Sequence, residues 1–257
     1  MRGSPSKAWW MVSHELVPAT PDETAHQPSG NLLLGRLAAE DFARLEPHLG
    51  RVPLDPGVGL ARAGEPIEWV YFPEGGVAGF LDVLKDGRRL TVGLVGREGF
   101  VGWPLLMGDD RWPYDVTVTA QGATALRLET GELRRAVEAS PALRDLLLRY
   151  AATFVAQMGR TIVSNLIHSV ERRTARWILL YQDRVGGDEV AVTHEELGYM
   201  LGVRRASITE ALQRLEGERA IVSARGRVIV RDRAQLESLA AETYGHAEAE
   251  YHRLLGG

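Results

Sequence analysis

Seven polar or charged side chains fall within an eleven-residue stretch of the sequence, from position 204 to position 214. Guanidinium, hydroxyl, amide and carboxylate groups of these types can donate to phosphate oxygens and pair with the edges of bases. Their spacing indicates one polar face of a helix and a polyanionic partner. The seven residues are Arg204, Arg205, Ser207, Thr209, Glu210, Gln213 and Arg214.

The charge of this region supports the same partner. Between Arg204 and Arg231 there are seven arginines and three glutamates, a local charge of +4, whereas the whole chain carries −4. A basic patch on an acidic protein indicates that one face meets a polyanion. A solvated surface without a partner has the same charges, so charge alone does not decide.

Two short helices joined by a tight turn are predicted to carry these side chains. Thr193 and Glu196 have the spacing of a capping box. Gly198 allows a second helix to come close, and Gly202 suits the left-handed residue that ends a helix. This pattern predicts a helix-turn-helix whose second helix is the recognition helix, with an ordinary helical hairpin as the alternative. The apolar stripe of that second helix is Ile208, Ala211, Leu212 and Leu215.

A small β-wing is predicted after the recognition helix. Ala220–Val222 and Arg227–Val230 are short β-prone runs on either side of residues 224–226, whose glycine favours a turn.

The segment from Arg51 to Leu128 has a different pattern, in which short β-prone runs alternate with turn signals. Asp86-Gly87 is the clearest hairpin signal. About seven short strands of this kind predict an antiparallel sandwich or barrel. The predicted strands are Arg51–Leu54, Gly59–Arg62, Trp69–Phe72, Val77–Leu84, Leu90–Val95, Val116–Thr119 and Thr124–Leu128.

A long helix is predicted from Leu143 to Leu166, because apolar residues recur every three or four positions. A helix of this length at a domain junction suits dimerisation. The alternative is a core helix packed on its own β-domain. Both interpretations are compatible if one face packs on the β-domain and the other on a second chain. The expected dimer contacts are Leu147, Ala151, Phe154, Met158 and Ile162.

The expected division of the chain is a mobile N-terminal extension (residues 1–30), a β-roll effector-binding-like domain (31–140), a dimerisation helix (141–170) and a winged helix-turn-helix domain with a C-terminal helix (171–257). The last of these is predicted as one helix from Asp232 to Leu255.

Composition limits the function classes. The 257 residues include no cysteine, which excludes disulfides and cysteine-held iron–sulfur clusters within this chain. No run is long and apolar enough to cross a membrane, and residues 1–30 lack the features of a signal peptide, so we expect a cytoplasmic protein. The spacings indicate no metal site, no cofactor and no catalytic arrangement, so we expect no enzyme.

This order of elements resembles the Crp/Fnr family of transcription regulators. The likeness covers roughly residues 31–245 and is strongest in LGYMLGVRRASITEALQRLE, in RRTARWILLYQDRVGGDEVAVTHEEL and in the β-roll-like stretch VYFPEGG…DGRRLTVGLVGREGFVG. The resemblance implies an α+β fold with a cyclic-nucleotide-binding-like antiparallel β-roll, a long dimerisation helix and a C-terminal winged helix-turn-helix. It also implies homodimers that bind inverted-repeat operators in double-stranded DNA near promoters, with RNA polymerase as a partner.

The sequence departs from the family at the phosphate-binding positions of its cyclic-AMP-binding members. Gly102 is kept, but Trp103 replaces the glutamate of their Gly-Glu pair, and Tyr114 and Asp115 replace their Arg-Ser pair. A carboxylate at 115 would repel a phosphate. We therefore expect an unknown effector, a small molecule or another partner, or none, and no usual cyclic-AMP binding.

The recognition helix also departs from those members, so a different operator is expected. Arg205 suits guanine, Glu210 can accept from cytosine N4, and Ala206 can contact a thymine methyl. Further DNA contacts are expected from His194, Arg204, Ser207, Thr209, Arg214, Arg225 and Arg227.

A small-molecule-binding β-barrel protein or cupin-like enzyme with a helical dimerisation tail is the alternative function. Cupin-type enzymes need a set of metal-binding histidines in the barrel, and the stretch from Arg51 to Leu128 contains no histidine. The basic recognition helix and the wing favour the DNA-binding regulator.

Overall fold

A computed structural model of the chain describes residues 29–85, 88–120 and 123–256. The predicted mobile extension lies almost wholly outside these residues. The chain is anchored from Asn31, whose side-chain Nδ2 donates to the carbonyl oxygens of Pro73 and Gly99, both at 2.8 Å. A short helix α1 (Ala39–Leu45), with a 3-10 turn on either side, leads into the first strand.

The β-roll contains two antiparallel sheets. The first has the strand order β1-β7-β3, and the second has the order β2-β6-β4-β5. All seven predicted strands are confirmed to within two residues at each end. The predicted Asp86-Gly87 turn lies outside the described residues, but the two strands that it joins pair antiparallel. The strands are β1 (Gly50–Leu54), β2 (Gly59–Ala61), β3 (Trp69–Pro73), β4 (Val77–Val83), β5 (Arg89–Val95), β6 (Asp115–Ala120) and β7 (Ala123–Glu129).

Two helices follow the β-roll, α2 (Thr130–Ala139) and α3 (Pro141–Ile167). α3 confirms the predicted long helix from Leu143 to Leu166. α3 begins at Ser140, whose hydroxyl accepts from the Leu143 amide, and Pro141 fits the first helical turn, where no amide donor is required.

One face of α3 is buried in its own β-roll. The Phe154 ring lies 4.7 Å from that of Phe80 and 5.8 Å from that of Trp103, measured between centroids. Gln157 uses both ends of its amide on the backbone of Leu94 in β5, at 2.7 and 3.1 Å. The helix is therefore fixed to the β-roll by aromatic packing and by a buried amide pair.

This packing corrects the expected dimer contacts. Leu147, Ala151 and Phe154 are at most 1% exposed within a single chain, so they belong to the core of the β-roll and are not available to a second chain. Met158 is half-buried against the same core, whereas Ile162 is 58% exposed. The prediction was wrong for the three buried residues because both faces of this helix are apolar at the same spacing.

The C-terminal part is a winged helix-turn-helix preceded by α4 (Val170–Val185). Its remaining elements are β8 (Glu189–Val190), α5 (His194–Leu201), α6 (Arg205–Gly217), β9 (Ile221–Ala224), β10 (Arg227–Val230), α7 (Arg233–Ala240) and α8 (His246–Leu255). The three strands form one small antiparallel sheet in the order β8-β10-β9.

The single terminal helix predicted from Asp232 to Leu255 is wrong. The chain breaks after α7 because Ala241 and Gly245 have φ values of +51° and +98°, which a continuous α-helix does not allow. Gly245 then starts α8, its amide donating to the Glu248 carboxylate at 2.9 Å.

The winged domain packs directly on the β-roll. Val77 and Leu94 of the β-roll belong to the apolar core of the winged domain. The Tyr181 hydroxyl on α4 donates to Thr119 Oγ1 in β6 at 2.7 Å. α8 returns to the β-roll, where the Tyr251 hydroxyl donates to the Glu98 carbonyl oxygen at 3.0 Å and Arg36 donates to the Leu255 carbonyl oxygen.

No helix among the described residues is long and apolar enough to cross a lipid bilayer. The described residues also include no group of three side chains suited to holding a metal ion.

Phe154→Ala should lower the free energy of unfolding by about 3–5 kcal/mol, because it removes a ring packed between Phe80 and Trp103 and leaves a cavity. Urea denaturation measures the change. Met107→Ala, at a side chain that is 55% exposed, is the control and should change stability by less than about 0.5 kcal/mol. A small effect of Phe154→Ala would contradict the assignment of this face of α3 to the core.

Candidate nucleic-acid interface

The helix-turn-helix is built as its sequence predicts. Thr193 Oγ1 accepts from the Glu196 amide at 3.2 Å, and the Glu196 carboxylate accepts from the Thr193 amide at 2.5 Å, which completes a capping box at the start of α5. A Cβ on Gly198 would lie 3.0 Å from the Val203 carbonyl oxygen, so a larger residue would push the turn away. Gly202 ends α5 with φ +64°.

The recognition helix α6 has one buried and one exposed side. Its apolar stripe is at most 3% exposed, which confirms the predicted core face. The opposite side presents exposed Arg205, Ala206 and Glu210, with Ser207 and Thr209 half-buried. Arg204 is exposed too, but it is the residue before the first helical turn. The buried stripe is Ile208, Ala211, Leu212 and Leu215.

His194 joins three elements of the interface. Its Nδ1 lies 3.0 Å from Thr209 Oγ1 on α6, and its Nε2 lies 3.2 Å from Ser223 Oγ on the wing strand β9. Thr209 also donates to the Arg205 carbonyl oxygen at 3.2 Å. His194 and Thr209 therefore fix the wing against the recognition helix. Both ring nitrogens of His194 and the hydroxyl of Thr209 already have partners within the chain.

Burial lowers the pKa of His194 below its ordinary value. The nearby Arg205 guanidinium lowers it further, and the Glu216 carboxylate partly opposes both effects. The imidazole of the unbound chain is therefore neutral at pH 7.

A cleft of about 470 Å³ separates the start of α5 from the wing turn, with Arg205 on one side and Arg225 on the other. The sequence predicted His194, Arg205 and Arg225 as contacts but not the other five lining residues, among them Thr193, Glu195 and Ser223. Only the alternation of the wing strand could have indicated Ser223. The cleft is lined by Thr193, His194, Glu195, Arg205, Ser223, Ala224, Arg225 and Gly226.

The arginines of this face fall into two groups, those paired with a carboxylate and those that are not. Arg227 is paired with Glu189 at 3.1 Å, and Arg214 is paired with Glu171 on α4 at 3.4 Å. Among the described residues, Arg204, Arg205 and Arg225 have no carboxylate partner. These three are the cations most available to an incoming phosphate or base.

The expected effector residues lie in the wall of the β-roll, and none of them is a cation that could pair with a phosphate. Trp103 is buried against Phe154. The Asp115 carboxylate accepts from the Ala63 amide at 2.8 Å, and Tyr114 is half-buried against the core. A Cβ on Gly102 would lie 2.4 Å from Val70 Cγ1, so this glycine is required by close packing within the β-roll itself.

Comparison with known proteins agrees with this architecture. Residues 51–140 match the profile of the cyclic nucleotide-binding domain, and residues 172–239 match that of the Crp-like helix-turn-helix domain. The chain belongs to the Crp/Fnr family of transcription regulators. Of the two functions that the sequence leaves open, these matches decide for the regulator over the cupin-like protein.

Relatives in this family extend over most of the chain. The transcriptional activatory protein AadR of Rhodopseudomonas palustris is 24% identical over 218 residues, which are 81% of this chain and 87% of AadR. FixK2 of Bradyrhizobium japonicum has the same fold with a TM-score of 0.66 at 17% identity, covering 75% of this chain and 98% of its own. A CRP/FNR family regulator of Thermus thermophilus gives 0.59 at 23% identity, with 74% and 97% covered.

DNA binding should strengthen as the pH falls from about 8 to about 6. In the free chain the pKa of His194 is lowered, whereas DNA phosphates near the cleft should raise it in the complex. The complex then takes up a proton that the free chain does not hold. Fluorescence anisotropy measures the effect, with the protein titrated at several pH values across this range onto a labelled DNA fragment that it binds. His194→Gln should have a nearly flat profile, and an unchanged pH dependence in this variant would contradict the assignment.

Proposed function

We propose that this Crp/Fnr family regulator acts as a homodimer on an inverted-repeat operator. The single observation that carries the proposal is that α3 has a second apolar face, which remains exposed when the first is buried in the β-roll.

The exposed face follows the seven-residue repeat of a coiled coil. Its positions are separated alternately by four and three residues, which is the spacing of a coiled-coil seam. Ile162 and Leu166 are 58% and 78% exposed in the single chain, an unfavourable state for large aliphatic side chains in water. Ala152 and Gly159 leave room for a second helix to approach. The seam is Leu148, Ala152, Val155, Gly159, Ile162 and Leu166.

A dimer through this seam defines the form of the operator. A two-fold axis that relates two α3 helices also relates the two recognition helices of the dimer. The half-sites that they read therefore form an inverted repeat. Half-sites read from one face of the duplex lie about one helical turn, roughly 34 Å, apart.

Within each half-site, the exposed residues of α6 have separate roles. Arg205 reads guanine O6 and N7, Ala206 contacts a thymine methyl, and Glu210 accepts from cytosine N4. Arg204, Ser207 and Arg225 bind phosphates. Thr209 and His194 act by holding the wing in place, and Arg214 and Arg227 contribute to phosphate binding once they leave their glutamate partners.

The effector of this regulator is not cyclic AMP bound in the usual way, because Trp103 and Asp115 replace the groups that hold its phosphate. RNA polymerase is the expected protein partner at a promoter, and the cytoplasm is the expected location because it holds the DNA. No catalytic activity and no cofactor are part of this proposal.

Arg205→Ala should weaken operator binding by about 1–3 kcal/mol and relax the preference at one position of each half-site, because one bidentate base contact is lost. Selection from random DNA with the wild type and the variant measures both effects. Arg225→Ala is the matched control: it should weaken all sequences alike and reduce the salt dependence by about one unit, as expected for a phosphate contact. A selected motif without two-fold symmetry would contradict the dimeric operator.

Ile162→Glu should convert the dimer into a monomer, because it places two carboxylates in the apolar seam. Sedimentation velocity measures the change, and the melting temperature of the single chain should stay close to that of the wild type because Ile162 is outside the core. Leu32→Glu makes the same chemical change at a side chain that is 44% exposed on the N-terminal segment, and it should stay dimeric. Dimers of Ile162→Glu would exclude this seam.

A further inference from the structure

A cavity of about 320 Å³ lies where the β-roll, α3 and the winged domain meet. This volume is at the lower end of the range of small-molecule sites, which often lie between domains. α3 contributes Tyr150 and Phe154, the end of α4 contributes Arg184, and α8 contributes Glu248 and Tyr251. The cavity is separate from the cleft beside the recognition helix.

Most polar groups around this cavity are already satisfied within the chain. The hydroxyl of Tyr251 donates to the Glu98 carbonyl oxygen, and that of Tyr244 donates to the Asp183 carboxylate at 2.7 Å. Gln157 is held by Leu94 through both amide atoms. These residues therefore offer a ligand mainly their ring faces and carbon atoms.

Arg184 is an exception. Its side chain is only 8% exposed, and Nη1 donates to the Leu180 carbonyl oxygen at 2.7 Å. Nε lies 2.9 Å from Glu98 Oε1 without the geometry of a hydrogen bond, and Nη2 has no hydrogen-bond partner among the described residues. A buried guanidinium with unused donors favours an acceptor oxygen beside it.

The charge around the cavity limits which acceptor fits. Glu98, Asp183 and Glu248 outnumber the two arginines of the lining, Arg184 and Arg233. Burial alone would lower the pKa of Arg184, but Glu98 and Asp183 raise it, so this guanidinium stays charged and already faces carboxylates. An anionic ligand would meet their repulsion, whereas a neutral carbonyl oxygen would not.

We propose that this interdomain cavity binds an uncharged small molecule with an aromatic ring and a carbonyl oxygen, the ring against Tyr150, Phe154 and Tyr251 and the oxygen on Arg184. Such a ligand touches α3, which is packed on the β-roll, together with α4 and α8 of the winged domain. It therefore favours the docked arrangement of the winged domain over any other. Ligand binding in this cavity does not depend on the proposed function, whereas the effect of the ligand on DNA affinity rests on it.

Benzamide is a suitable probe, because it is uncharged and joins a ring to a carbonyl oxygen. Saturation-transfer NMR on the full chain, without DNA, should show benzamide binding at millimolar concentration. Benzoate and ethylbenzene, which add a charge or remove the carbonyl, should bind at least several-fold more weakly. The test requires no assumption about an operator.

Two variants locate the site. Ala247→Trp fills the cavity from α8, and Arg184→Lys keeps the charge but removes the spare guanidinium donors; both should reduce benzamide binding at least tenfold. Arg253→Ala, on the outer face of α8 and paired with Glu250, is the matched control and should bind as the wild type does. Circular dichroism checks folding, and Arg184→Lys carries the test if the larger Ala247→Trp change fails to fold.

Two results would overturn the proposal: no benzamide binding to the wild type, or binding unaffected by Arg184→Lys. In the second case, loss of binding in Trp103→Ala would place the ligand within the β-roll. A ligand that binds in this cavity and leaves DNA affinity unchanged would contradict only the regulatory part.

Discussion

The structure depends on one helix, α3, which has two apolar faces that both need to be covered from water. α3 buries Phe154 and Leu147 against its own β-roll and holds β5 through Gln157. Its other face then remains in water unless a second chain covers it. The first face sets the position of the helix on the β-roll, and through it the direction in which the second face points.

The winged domain is fixed to the same framework. Val77 and Leu94 complete its core, Tyr181 is hydrogen-bonded to Thr119, and Leu90 packs so closely on the turn that a Cβ on Gly202 would lie 2.4 Å from Leu90 Cδ2. The turn of the helix-turn-helix is therefore in contact with the β-roll. Packed side chains therefore connect β5 with the turn that precedes the recognition helix.

Much of this could be predicted from the sequence, because local rules decide it. Alternation and turn residues predict the seven strands, and Thr193, Gly198 and Gly202 predict the helix-turn-helix. The buried and the exposed face of α3 could not be told apart, because both carry apolar residues at helical spacing; only the tertiary packing shows that Phe154 is covered and Ile162 is not. Gly245 is a local signal for a helix break that the prediction did not use. The pairing of His194 with Ser223, 29 residues away, depends on a tertiary contact that no local pattern contains.

Hydroxyl-radical footprinting with the 257-residue chain on a selected operator tests most directly whether α3 has one face for the β-roll and one for a second chain. If α3 joins two chains through its exposed seam, two equivalent protected segments should appear on one face of the duplex. Their centres should lie about one helical turn apart, and both should disappear together when the seam is disrupted. A single protected segment, or two segments that are lost independently, would contradict the account.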